Sequence, residues 1–80
     1  MEKSQLLINL GLKIKELRAK KNISQQELSD LIGVKRQYIS QIETGDYNVT
    51  IDTLNKIANA FEINISDLLE GVEGEHTNSI

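Results

Sequence analysis

The chain has 80 residues, with no cysteine, proline or tryptophan, and a net charge of −3. Eighty residues make one small domain, which excludes a two-domain enzyme with a deep cleft. The absence of cysteine excludes a disulfide framework and a thiolate metal site. The charge is spread unevenly. Residues 1–50 hold eight Lys/Arg against six Asp/Glu, and residues 51–80 hold one against six. One end therefore suits an anionic partner and the other does not. The longest apolar run, Leu6-Leu7-Ile8, is far short of the roughly 20 residues of a spanning helix. No signal-peptide h-region is present, so a cytoplasmic protein without membrane contact is expected.

Apolar spacing is helical nearly throughout. Leu7, Leu10, Ile14 and Leu17 share one helical face, which predicts a first helix near 4–21 ending at Asn22. Ser24-Gln25-Gln26-Glu27 reads as a capping box, with Ile23 and Leu28 at the staple positions. It opens a second helix of about 24–32 that buries Leu28, Leu31 and Ile32 and stops at Gly33. A third helix near 35–43 turns Ile39 and Ile42 inward and Arg36, Gln37, Ser40, Gln41 and Thr44 outward; Gly45 ends it, and Asp46-Tyr47-Asn48 reads as a loop. Thr50 caps a fourth helix, about 51–61, burying Ile51, Leu54, Ile57, Ala58 and Phe61. Ser66 is expected to cap a fifth, about 67–70. The domain is expected to span 1–70, with 71–80 a flexible tail.

Gln25 to Ile42 reads as a helix-turn-helix. A small residue, Ser29, stands where the two helices approach, a glycine, Gly33, stands in the turn, and Leu28, Val34, Ile39 and Ile42 lock the pair. The outward stripe of the third helix carries long hydrogen-bonding side chains, which suit the base edges of a major groove. A run of such chains on its own is as readily a solvated helix face.

The stretches Leu10-Gly11, Ile14-Lys15-Glu16-Leu17-Arg18, Ser24 to Ser29, Gly33-Val34, Tyr38 to Gly45 and Leu54 to Phe61 together resemble the Cro and phage-repressor (XRE-like) helix-turn-helix family. The likeness covers about three quarters of the chain. Within the family, Arg36 to Ser40 and Asn48 to Leu54 are most similar to restriction-modification controller proteins. The resemblance implies an all-α, five-helix, lambda-repressor-like domain. It also implies a homodimer that binds a palindromic operator on double-stranded DNA and regulates its own gene, with RNA polymerase as a further partner. The alternative is an antitoxin-type module whose main partner is another protein and which also binds DNA.

The resemblance assigns base contacts to Arg36, Gln37, Ser40 and Gln41. It assigns phosphate contacts to Ser24, Gln25, Thr44, Tyr47 and Asn48, and a structural ion pair to Arg18 and Glu43. Lys35 stands where a capping residue is usual and cannot accept a capping bond, so it is expected to meet phosphate. Tyr38 is expected either to meet phosphate or to prop the third helix against the fourth. Lys13, Lys15, Lys20 and Lys21 read as a solvated face. Ile63, Ile65, Leu68, Leu69 and Val72 exceed what a short fifth helix can enclose and are expected to form the dimer interface. His76 has no second His or Cys in the chain, so neither a metal site nor a catalytic triad is expected. No nucleotide-binding glycine pattern occurs, and no cofactor, small-molecule ligand or enzymatic activity is expected.

Overall fold

The computed structural model describes residues 4–72. The expected tail therefore lies, from residue 73 on, outside the described residues. Five helices follow in order: α1 (Gln5–Lys21), α2 (Gln25–Ile32), α3 (Arg36–Glu43), α4 (Ile51–Ala60) and α5 (Ile65–Leu69). No strand occurs among the described residues.

Capping fixes where the helices begin. The Ser4, Ser24 and Thr50 side chains accept from the N–H groups of Leu7, Glu27 and Thr53. Glu27 answers by accepting from the Ser24 N–H at 2.8 Å, which closes the capping box. α3 starts on Lys35, which makes no side-chain cap. α5 starts earlier than expected, on Asn64 rather than Ser66. Three residues beyond Ser66 stands apolar Leu69. Three beyond Asn64 stands Asp67, whose carboxylate accepts from the Asn64 N–H at 3.4 Å.

Main-chain bonds end them. At α1 the Asn22 and Ile23 N–H groups donate back to Ala19 and Arg18. At α3 those of Gly45 and Asp46 donate to Ile42 and Gln41. Both pairs form the Schellman pattern. α2 stops at Gly33, with φ +77°, a conformation that a Cβ would strain.

The core is built from one stripe of each helix: Leu10 and Ile14, Leu28, Ile39 and Ile42, Leu54, Ile57 and Ala58, and Leu68, with Phe61 fully enclosed. α2 and α3 pack on each other, α1 lies across α3, α4 lies against α2, and α5 closes onto α4 and α1. Gly11 sits where α1 crosses the end of α3. A Cβ there would run into the backbone carbonyls of Ile42 and Glu43. No larger residue lets the two backbones come so close.

Two expected core residues are on the surface. Leu31 is 62% and Ile51 68% exposed. The inward face of α2 is set by Leu28 and Ser29. At about 100° per residue, Leu31 lies about 60° from Leu28 on the side away from Ser29, beyond the edge of that stripe. Ile51 opens α4 a full turn before Leu54, the first buried residue of that helix.

Leu68, expected at a dimer interface, is instead fully buried. It is the one residue of α5 that points straight into the core. Ile63, Ile65, Leu69 and Val72 are half-buried against that core. Val72 also donates its N–H to the Leu69 carbonyl at 2.9 Å, so the chain stays on the body two residues into the expected tail. Lys13, expected in a solvated face, reaches across to the Glu70 carbonyl at 2.9 Å and supplies a cation to the end of α5.

Candidate nucleic-acid interface

The candidate site is the outer side of α3 with the start of α2 and the loop after α3. Arg36 and Gln37 stand exposed in the first turn of α3, and Ser40 and Gln41 follow one turn later, half-buried. Lys35 is exposed just before them, and Thr44, Tyr47 and Asn48 are exposed just after. Tyr38 is half-buried, and its ring meets that of Tyr47 edge-on at 5.1 Å. The prop that Tyr38 provides is therefore to the loop following α3. The Thr44 hydroxyl lies 2.8 Å from the Asp46 carboxylate.

The first turn of α2 is itself hydrogen-bonded. The Ser24 N–H is given to the Glu27 carboxylate. The Gln25 side chain is engaged at both ends: its amide nitrogen donates to Glu43 Oε1 at 3.0 Å, and its amide oxygen accepts from Arg36 Nη1 at 3.3 Å. What this turn can offer an anion is the Ser24 O–H, whose oxygen accepts from the Glu27 N–H, and the backbone of α2. With Ser24 and Glu27 capped, the N–H groups of Gln25 and Gln26 remain among the four that no helix satisfies internally.

Behind this surface lies the ion pair of Arg18 and Glu43. Arg18 Nε donates to Glu43 Oε2 at 2.6 Å and Nη2 donates to Oε1 at 3.0 Å, a two-bond fork. The side chains are only 15% and 4% exposed. Nη1 also donates to the Ile23 carbonyl at 2.9 Å, so the same guanidinium ties down the turn before α2. The hydrogen bond to Glu43 raises the affinity of Arg18 for its proton; burial opposes this and the Glu43 charge assists it. A base held above its unfolded value gives stability that is complete below that value and is lost only above it. The guanidinium therefore stays charged through the neutral and moderately alkaline range.

Sequence reading missed that the pair, Gln25 and Arg36 form one connected chain, and that Gly11 is a contact point. The signal for Gly11 was available, because a lone glycine inside a helical pattern often marks close packing. The signal for the chain was not, because it joins residues from three helices. Among the described residues no cluster of His, Asp or Glu could hold a metal, and no helix is long and apolar enough to cross a membrane.

Two short helices locked by a buried small residue, a glycine turn and an enclosed apolar stripe, with polar side chains along the outer face of the second, define a helix-turn-helix DNA-binding domain. The helix-turn-helix (HTH_3) family profile matches residues 14–68, and the chain belongs to this XRE-like family of transcription regulators, which are not enzymes. It is 43% identical over 56 residues to an uncharacterised HTH-type transcriptional regulator of Archaeoglobus fulgidus, covering 70% of this chain and 79% of that one. It is 36% identical over 73 residues to the control protein C.MunI of a Mycoplasma species, covering 90% of this chain and 99% of that one. The restriction-modification controller C.Esp1396I, solved as a tetramer on its natural 35 base-pair operator, superposes with a TM-score of 0.78 at 32% identity. That match covers 86% of this chain and 91% of the other.

Proposed function

We propose that the chain is a homodimeric regulator that binds a palindromic operator upstream of its own gene, in the manner of restriction-modification controllers. The observation that carries this reading is the exposed Arg36–Gln37 pair at the start of α3. Arg suits guanine O6/N7 and Gln suits adenine N6/N7 when a recognition helix enters the major groove by its N-terminal end. Ser40 and Gln41 extend the read, one turn further along. Lys35, Tyr38, Thr44, Tyr47 and Asn48, with the Ser24 hydroxyl and the backbone of Gln25, hold the phosphates on either side. Residues 1–70 act as the DNA-binding unit, in the cytoplasm. Regulation follows from occupancy, which blocks or recruits RNA polymerase. The near end-to-end similarity to a control protein and the operator complex of a structural relative support the controller assignment. α5 and its flanks supply the second-copy contact through Ile63, Ile65, Leu69 and Val72.

The test is a titration of wild type and Arg36→Ala against the DNA upstream of the gene and a scrambled duplex. The variant is expected to lose about 1–3 kcal/mol per half-site on the specific duplex and to relax one base position. Equal losses on both duplexes would reduce Arg36 to a phosphate contact. A dimer neutralising about 6–10 phosphates should lose ~10³–10⁵ in affinity between 50 and 200 mM salt despite its acidic composition. A flat salt response would overturn the proposed binding mode.

A further inference from the structure

We infer that Glu43, buried and out of reach of DNA, is a positioning residue for base reading, acting through Gln25 on the guanidinium of Arg36. The inference rests on the reading of Arg36 given above.

A carboxylate only accepts hydrogen bonds. Both Glu43 oxygens already face Arg18, and Oε1 also receives the Gln25 amide at 3.0 Å. The edge of Gln25 turned toward Glu43 must therefore be its NH2. That choice fixes the other edge, so Gln25 Oε1 points outward and accepts from Arg36 Nη1 at 3.3 Å. Were the amide reversed, its NH2 would face a cation that cannot accept a bond, and Arg36 would lose its tether.

The polarity of the Gln25 amide is thus set from inside the protein and delivered at the surface. Glu43 lies seven positions after Arg36, about 10 Å along α3, and the two make no direct bond. Gln25 on α2 bridges the gap. Arg36 gives up one of its five N–H donors to the tether and keeps enough for a two-bond contact with guanine. Because the guanidinium is held before DNA arrives, less side-chain freedom is lost on binding.

Two substitutions and one readout test this. Gln25→Met keeps the length of the side chain, removes both amide edges and leaves the Arg18–Glu43 fork untouched. Glu43→Gln presents an NH2 to Gln25 and lets its amide reverse. Wild type, both variants and Arg36→Ala each select from a random duplex library, and the preferences are compared base by base. The base pair at which Arg36→Ala loses preference marks the position read by Arg36. Gln25→Met and Glu43→Gln are expected to lose preference there by roughly fivefold or more, part of what one two-bond base contact supplies, and to keep it elsewhere. If Glu43→Gln folds and keeps the preference at that base, Glu43 has no positioning role; if it does not fold, Glu43→Asp, which draws the carboxylate back from Gln25, takes its place with the same expected loss. If Gln25→Met weakens every sequence evenly and leaves that base preference intact, the positioning role is overturned while Arg36 remains a reader. If Arg36→Ala changes no preference at all, the reading of Arg36 falls and the positioning role falls with it.

Discussion

Arg18 and Glu43 show how much depends on whether a charge is enclosed. An exposed pair contributes about 0–1 kcal/mol. This one has a two-bond fork, lies almost wholly out of water and carries additional hydrogen bonds to Gln25 and the Ile23 carbonyl. Removing one partner leaves the other buried and uncompensated. Arg18→Ala and Glu43→Ala are each expected to cost about 3–5 kcal/mol in chemical denaturation. The double variant should cost less than the two singles together. Additive losses would show that the pair is not coupled. Ser29, also fully enclosed, is the contrasting case. Its hydroxyl donates to the Gln26 carbonyl at 2.8 Å, so a polar group in the core is satisfied within its own helix.

At the scale of the helix, α3 is the element on which the proposed function rests, and it starts without an N-terminal side-chain cap. Lys35 occupies the capping position with extended backbone, φ −80° and ψ 148°, a conformation that a serine cap also adopts. Lys35→Ser is expected to raise stability by about 1 kcal/mol while weakening DNA binding on all sequences and reducing the salt slope by about 1. Thermal denaturation and a salt titration of binding check the two halves of this expectation separately. If stability and affinity rise together, Lys35 does not contact phosphate. The sequence revealed the helices wherever local chemistry decides: the capping box at Ser24, the glycine stop at Gly33, and the periodic stripes of Ile39 and Ile42. It misled at Leu31 and Ile51, where an apolar residue lies beside the stripe rather than in it, and at Ser66, where the cap depends on which residue stands three positions on. The link from Glu43 through Gln25 to Arg36 was illegible, because it depends on how α2 and α3 are placed together.

For the molecule as a whole, the proposed dimer depends on a modest surface. With Leu68 withdrawn into the core, Ile63, Ile65, Leu69 and Val72 offer only the parts of their side chains that the monomer leaves uncovered. The contact is expected to fall near or below the 1,200–2,000 Å² of a standard interface and to be of moderate strength. Leu69→Glu should shift sedimentation equilibrium toward monomer and lower operator affinity at low protein concentration. If it self-associates and binds as wild type does, the two-fold contact lies elsewhere. Leu68 cannot serve for this test, since truncating a fully buried leucine costs about 2–5 kcal/mol of folding stability by itself.

The close approach at Gly11 has a dynamic consequence. With no side chain between the α1 backbone and the Ile42 and Glu43 carbonyls, the crossing lacks the rotatable bonds that elsewhere let packed helices slide. α1 and α3 should therefore open as one cooperative unit. Native-state hydrogen exchange is expected to give the central amides of both helices a shared opening free energy, above that of the loop around Tyr47. If α3 exchanges through a lower-energy opening than α1, the two helices are not so joined. On this basis a long helix that meets no DNA in the proposed binding mode supplies the stiffness with which α3 enters the groove.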